Sequence, residues 1–91
     1  MPYIAQSSRT WLEEQGNPPG SPGELTYLLT QLIRRYLGKS PRFSDFAAVL
    51  GSLEATKLEL YRRKIAPYED QKRRENGEVY FGRLDPDVKA P

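Results

Sequence analysis

The stretch from Ser40 to Ile65 restricts the possible folds of this chain more than any other part of it. It begins with Ser40-Pro41, a favourable N-cap followed by a residue suited to the first helical turn, and Gly51 is its one internal helix breaker before Pro67. At about 100° per residue, most of its apolar side chains fall on one broad helical face. That face consists of Phe43, Phe46, Ala47, Leu50, Leu53, Leu58, Leu60, Tyr61 and Ile65. We therefore predict an all-α fold built on one long central helix.

Two charged residues, Glu54 and Lys57, lie in the middle of this apolar face, with Tyr61 one turn further on. A structural interpretation makes them an ion pair, either at i, i+3 or across a two-fold axis, with Tyr61 hydrogen-bonded to it. A second interpretation makes these side chains a polar site for a small charged ligand. Steps of three and four residues are typical of paired helices, in which a lone charge fixes the register, so we favour an interface. The steps run through Phe43, Phe46, Leu50, Leu53, Lys57, Leu60 and Lys64.

A second helix is predicted from Pro22 to about Leu37. Ser21 is a suitable N-cap, Glu24 three residues later completes a capping box, and Gly38 is a suitable C-cap residue. The apolar face of this helix consists of Leu25, Leu28, Leu29, Leu32, Ile33 and Tyr36.

The other side of the second helix carries a polar stripe. It consists of Glu24, Tyr27, Gln31 and Arg34. We expect this stripe to face solvent, and an aromatic ring on a wet face is unusual. Tyr27 and Arg34 are therefore candidates for a ligand or an interface.

The remaining elements are short. Ser7 or Ser8 is expected to cap a helix that carries Trp11 and Leu12. Pro67 either kinks the long helix or ends it before a short helix that closes at Asn76-Gly77. This makes three or four helices. Tyr3-Ile4 and the segment 79–81 have strand character, so a two-stranded terminal ribbon is possible within one chain or between two. We predict one domain over residues 1–81 and a flexible tail over 82–91.

Composition excludes several kinds of chemistry. The 91 residues include no Cys and no His, which excludes disulfides, cysteine nucleophiles, the usual zinc sites and histidine acid–base catalysis. We expect no cofactor, no metal and no catalytic residues. A metal hydrolase using carboxylates alone, from the acids at positions 69, 70, 75 and 78, is the remaining enzymatic hypothesis. No apolar run approaches the roughly 20 residues of a membrane span and no signal-peptide core is visible, so we expect a cytoplasmic protein without a membrane partner.

A basic segment supports the main alternative function. From Lys57 to Arg74 there are seven Lys or Arg residues against three acids, with Tyr61 and Tyr68 among them. Such a segment could follow a phosphate backbone while tyrosines stack on bases, although a solvated charged surface is the ordinary explanation. Besides Lys57, the basic residues are Arg62, Arg63, Lys64, Lys72, Arg73 and Arg74.

Several short motifs carry a resemblance to a known family. They are Pro2-Tyr3-Ile4, Gly23-Glu24-Leu25-Thr26-Tyr27, Leu53-Glu54, Lys57-Leu58-Glu59-Leu60-Tyr61-Arg62-Arg63, Pro67-Tyr68-Glu69-Asp70 and Glu75-Asn76-Gly77-Glu78-Val79-Tyr80. The chain resembles, over about residues 2 to 80, a family of small proteins from bacteriophages and prokaryotes with no assigned function. The resemblance implies a source and no mechanism, and it draws attention to Tyr27, Glu54, Lys57, Tyr61 and the Tyr68-Glu69-Asp70 turn.

These observations favour a non-enzymatic binding protein. The hydrophobic content is 37%, low for a globular domain, and small chains with a thin core often complete it by self-association. We therefore expect a homodimer or higher homo-oligomer. The predicted function is that of a phage-type accessory factor that engages a host protein or sequesters a small ligand, in the host cytoplasm if a phage encodes it. The alternative is nucleotide or nucleic-acid binding through the basic segment.

Overall fold

The structure is a computed structural model that describes residues 1–80. All regular secondary structure within these residues is helical. Helix α1 spans Gln6–Gln15 and helix α2 spans Pro22–Leu37. The third helix is 34 residues long. It begins as α3, Phe43–Leu60, passes through a π-helical turn, Tyr61–Ile65, and ends as α4, Ala66–Asn76. The predicted all-α fold with one dominant helix is confirmed.

Helix α2 has the predicted bounds because its caps are local and strong. The Ser21 hydroxyl oxygen accepts a hydrogen bond from the backbone N–H of Glu24 at 3.2 Å. The Glu24 carboxylate accepts from the N–H of Gly20 at 2.8 Å, one residue before the position expected for a capping box. At the other end, Gly38 has a φ of 68° and its N–H donates to the carbonyl of Arg34.

Helix α1 begins earlier than predicted. Its N-cap is Ala5, and no side chain caps it. The Ala5 carbonyl already accepts from the N–H groups of Ser8 and Arg9, at 3.0 and 3.1 Å, so the first turn has formed before Ser7 or Ser8 could serve as a cap. The prediction of a serine cap is therefore wrong, while the helix itself is present and ends at Gly16, whose φ is 63°.

The long helix begins later than predicted. Ser40-Pro41 lies outside it, and α3 starts at Phe43. The Asp45 carboxylate accepts a hydrogen bond from the backbone N–H of Arg42 at 2.8 Å, and the N–H of Asp45 donates to the Arg42 carbonyl. Arg42 therefore occupies the capping position, and the side chain three residues later satisfies its N–H.

Pro67 does not end the long helix. Proline has no N–H, and its ring collides with the carbonyl four residues earlier in a regular α-helix. The chain accommodates it by widening one turn, in which the N–H of Ala66 donates to the carbonyl of Tyr61, five residues back. The helix then continues to Asn76 and closes at Gly77, whose φ is 97° and whose N–H donates to the Arg73 carbonyl.

The predicted terminal ribbon is not supported. No strand occurs within residues 1–80. The N–H of Ile4 donates to the Pro2 carbonyl in a tight local turn. Val79 and Tyr80 form a bend whose N–H groups donate to the Glu78 carboxylate. Phe81 and the predicted tail, residues 82–91, lie outside the described residues.

Backbone contacts divide the chain into two compact units, one over Met1–Leu50 and one beginning at Gly51. In the first unit α1 packs on α2, and the buried apolar side chains are Leu12, 2% exposed, and Tyr27, 6% exposed. In the second unit none of the described residues is buried. A single domain over residues 1–81 stays a prediction. Within residues 1–80, no helix has the length and apolar character needed to cross a membrane.

Candidate functional site

Tyr27 lies where sequence reasoning did not place it. Its polar stripe was expected to face solvent, but Tyr27 is buried because α1 packs on this side of α2. The guanidinium of Arg9 lies 5.4 Å from the centre of the Tyr27 ring, a favourable cation–π distance. The Arg9 Nε also donates to the Ile4 carbonyl at 3.1 Å, which ties the N-terminal arm to the same cluster. Tyr27 thus serves the packing of the first unit.

The surroundings of Tyr27 change its acidity. Burial raises the pKa of its hydroxyl, since the ionised form would lose solvation. The nearby carboxylate of Glu13 raises this pKa further, whereas the positive charges of Arg9 and Arg34 lower it by a smaller amount. The net effect is a hydroxyl whose pKa lies above the ordinary tyrosine value.

Gly23 marks a close approach of the N-terminal arm to α2. A Cβ atom at Gly23 would lie 3.0 Å from the Cγ2 of Ile4 and 3.4 Å from the Met1 carbonyl oxygen. Even a methyl group at Gly23 would therefore require the Ile4 side chain to shift by a few tenths of an ångström. The motif residue Ile4 thus lies against the motif residue Gly23 at the start of α2. Helical periodicity alone did not predict this contact.

Arg34 lies beside a cleft at the C-terminal end of α2. The cleft has a volume of about 410 Å³, and its lining includes the three cationic side chains Arg34, Arg35 and Lys39 and no acid. The side-chain amide oxygen of Gln31, Oε1, accepts a hydrogen bond from Arg34 Nη1 at 3.0 Å, which orients the guanidinium. Cations in the last turn also complement the negative end of the helix dipole. The arrangement is suited to a small anion.

Glu54 and Lys57 form the intrahelical ion pair of the structural interpretation. Lys57 Nζ lies 3.2 Å from Glu54 Oε1, and both side chains are well exposed. An exposed pair at this spacing stabilises a helix by about 0.3–0.5 kcal/mol. Tyr61 is half-exposed, and within residues 1–80 no hydrogen bond joins it to the pair. A use of these three residues as ligand site or interface stays a prediction.

Most of the basic segment is neutralised within its own helix. Four of its seven cations, counting Lys57, form ion pairs three residues away: Arg62 with Glu59 at 2.9 Å, Lys72 with Glu75 at 3.3 Å, and Arg73 with Asp70 at 3.6 Å. No ion pair within the described part of the chain involves Arg63, Lys64 or Arg74. The positive field of this segment is therefore weaker than the sequence count suggests.

Of the acids at positions 69, 70, 75 and 78, all but Glu69 pair with a cation among the described residues. Glu78 accepts hydrogen bonds from the N–H groups of Tyr80 and Val79, each at 3.0 Å, and these bonds with the neighbouring Arg73 lower the pKa of its carboxyl. Across residues 1–80, no three acidic residues gather in the way that a metal ion requires.

Two rows of large apolar side chains are exposed. In the first unit the exposed row of α2 comprises Leu25, Leu29, Leu32 and Tyr36. In the second unit the row that we call the seam comprises Leu53, Leu60, Ile65 and Tyr68, with Lys57 between the two leucines. Such rows of exposed large apolar side chains are uncommon on monomeric soluble proteins, where single scattered ones are the rule. Sequence reasoning identified both faces as apolar but did not predict that the described residues leave them uncovered.

The described residues define a class of protein. It is a small helical protein in which α2 and the long helix each carry a row of exposed apolar side chains. The chain belongs to the family described as "Domain of unknown function (DUF6899)", whose family model matches residues 1–79. This confirms the resemblance to a family without assigned function and nearly coincides with the extent expected from the motifs. No curated protein and no solved structure matches the chain.

Proposed function

We propose that this chain is a non-enzymatic binding protein that works as a homo-oligomer in the cytoplasm, an accessory factor of the phage type that engages a host protein or sequesters a small ligand. The phage connection depends on the motif resemblance set out above. The oligomer depends on one observation. The first unit buries two large hydrophobic side chains, the second buries none among its described residues, and both expose long apolar rows.

Simple energetics favour a cover for these rows. Fully burying a Leu side chain stabilises a protein by about 1.5–3 kcal/mol. The exposed leucines of α2 and the seam keep roughly half of their surface in water, so about 1 kcal/mol remains to be gained at each. Among soluble oligomers, homo-oligomers with closed symmetry are the commonest kind.

Solution mass tests self-association. Light scattering of the wild type over a wide concentration range is expected to give a dimer or larger species with a concentration-dependent melting temperature. Lys57→Met removes a charge from the middle of the seam and is expected to keep the mass and raise the melting temperature. Arg63→Met, the matched loss of a charge outside the seam, is expected to leave both unchanged.

The measured mass distinguishes self-association from a role of the Glu54–Lys57 pair in the assembly. A wild type that stays monomeric at every concentration refutes the homo-oligomer. A mass that falls only for Lys57→Met makes the Glu54–Lys57 pair a required part of the assembly, and a ligand must then be sought at other surfaces.

The cleft beside Arg34 supports the small-ligand form of the proposal. Three cations and no acid in its lining favour an anionic ligand. Calorimetry with inorganic phosphate is expected to give heat with the wild type and none with Arg34→Gln/Lys39→Gln. The control Arg62→Gln/Lys72→Gln removes two cations from the basic segment. Equal binding by all three proteins would exclude the cleft.

The alternative, nucleotide or nucleic-acid binding, would use Lys57, Tyr61 and the basic segment. It predicts retention of labelled single-stranded DNA that weakens steeply with salt. Arg63 and Lys64, which form no ion pair among the described residues, favour this alternative. The intrahelical ion pairs of the neighbouring cations weigh against it. Absence of binding at low salt would remove this alternative.

A further inference from the structure

We infer that the π-helical turn at Tyr61–Ile65 sets the register of a parallel self-contact, in which the seam of one copy packs against the seam of a second copy and Lys64 faces Glu69 of the other chain. This inference rests on the proposed self-association. It specifies the seam as the contact surface and a parallel orientation of the two helices.

The apolar residues of the long helix change phase at the π-helical turn. Leu53, Lys57 and Leu60 follow steps of four and three, the spacing of a helical seam. In a regular α-helix the next two residues on this side of the helix would be Lys64, which is charged, and Pro67, which has no N–H. The π-turn inserts one residue, so positions after it are displaced by one, about 100° of rotation.

The insertion brings apolar residues back to the line. Ile65 lies five residues after Leu60, the spacing of the π-helical hydrogen bond, and Tyr68 follows three residues later. The four apolar seam residues are between 36% and 61% exposed. The turn that accommodates Pro67 thus extends the apolar row by a further turn, a use consistent with the frequent location of such turns at functional sites.

The charges of the second unit are nearly balanced over its described residues, which favours a second copy over a strongly charged partner. Within residues 51–80 there are seven basic residues, all in the basic segment, and six acidic ones. The acids are Glu54, Glu59, Glu69, Asp70, Glu75 and Glu78. A surface so nearly balanced has little net attraction for a polyanion or a polycation, and its charges can be matched by those of a second copy.

Glu69 and Lys64 offer a pair of opposite charges for a contact between two copies. Glu69 is the one acid of residues 51–80 that has no ion pair among them, and Lys64 has none there either. Lys64 immediately precedes the seam residue Ile65, and Glu69 immediately follows the seam residue Tyr68. Two parallel helices bring such flanking positions, five residues apart, into contact across the seam. The symmetric contact forms twice in a dimer.

Lys57 is consistent with the parallel arrangement. A single lysine on the seam of a parallel pair meets its own copy, which costs stability and selects one register. The Glu54 carboxylate at 3.2 Å partly neutralises this charge within its own chain.

Sedimentation equilibrium of full-length variants tests the seam. Ile65→Glu is expected to raise the dissociation constant on the order of 100-fold or more, since each dimer loses two buried apolar side chains at about 1.4 kcal/mol per factor of ten. Arg63→Glu reverses a charge two residues away, outside the seam, and is expected to change the constant by less than about 3-fold. Circular dichroism checks that both variants keep their helix content.

A charge exchange tests the orientation. Glu69→Lys places like charges opposite each other and is expected to weaken the dimer about 5- to 10-fold. Lys64→Glu/Glu69→Lys restores the attraction in a parallel pair and is expected to return the constant to within about 2-fold of the wild type. Failure of the double exchange to restore association overturns the parallel register.

The outcomes separate this inference from the proposed function. A wild-type monomer refutes self-association itself. A wild-type dimer that Ile65→Glu leaves intact, or that Arg63→Glu disrupts equally, refutes the seam while self-association stands.

Discussion

Leu12→Ala tests how α1 is held on α2. Leu12 is the most buried residue of the described chain, and it is the only residue of α1 that is buried. The neighbouring Trp11 is 42% exposed and contributes less. Docking of this ten-residue helix therefore depends mainly on one leucine.

The magnitude follows from what the substitution removes. About 0.8 kcal/mol is lost for each buried methylene-sized group, or about 2 kcal/mol for the three carbon atoms removed. A cavity term adds to this, but a site between two short helices can partly collapse, so we expect about 2–3 kcal/mol, the low end for such substitutions. In a domain of this size this lowers the melting temperature by roughly 10–20 °C.

Urea denaturation followed by circular dichroism measures this loss, and hydrogen exchange locates it. The amides of α1 are expected to lose protection first, because the substitution undocks that helix before it unfolds the rest. Leu58→Ala is the control, since it makes the same chemical change at a residue that is 57% exposed and lies off the seam. We expect it to change the stability by less than about 0.5 kcal/mol. Equal effects of the two substitutions would refute the assignment of Leu12 as the anchor of α1.

Two further predictions concern caps and acidity. Ser21→Ala removes the oxygen that caps α2 and is expected to cost about 1 kcal/mol in denaturant unfolding, whereas Ser7→Ala is expected to be nearly neutral because Ser7 caps nothing; similar costs would contradict the capping geometry. Tyr27 has a raised pKa, so the folded protein holds this proton more tightly than the unfolded chain. The stability that this contributes is fully present below the unfolded value of about 10 and is lost as pH rises through the folded pKa. Absorbance titration is expected to show one tyrosine that ionises late, and Tyr27→Phe should abolish that phase; its persistence would contradict the burial of Tyr27.

The local rules of helix formation worked best where a few neighbouring residues decide the result. The bounds of α2 were predictable because Ser21, Pro22 and Gly38 act within one turn of their own positions. The same rules misplaced the starts of α1 and α3, since Ala5 and Arg42 cap without the preferred side chains. At α3 the Asp45 carboxylate satisfies the N–H of Arg42, whereas no side chain caps α1.

The candidate site was less predictable than the fold. The Glu54–Lys57 ion pair follows from i, i+3 spacing and needed no tertiary information. The cationic cleft did not follow from periodicity, because Lys39 and Pro41 come from the segment after α2. Each ion pair of the basic segment follows from a spacing of three residues and could be predicted singly. The structure shows that these pairs form at the same time, which weakens the positive electrostatic field of the segment.

Sequence alone determined that this chain is helical, that its long segment from Phe43 has a broad apolar face, and that cysteine and histidine chemistry is unavailable to it. Those properties depend on side-chain type and spacing along the chain. Tertiary structure decided which face of α2 is covered, and it placed Tyr27 inside and the leucine row outside, because the docking of α1 is a contact between distant parts of the chain. It also decided how the helix passes Pro67, since the proline clash can be relieved by ending, kinking or widening the helix, and only the hydrogen bond from Ala66 to Tyr61 distinguishes these responses.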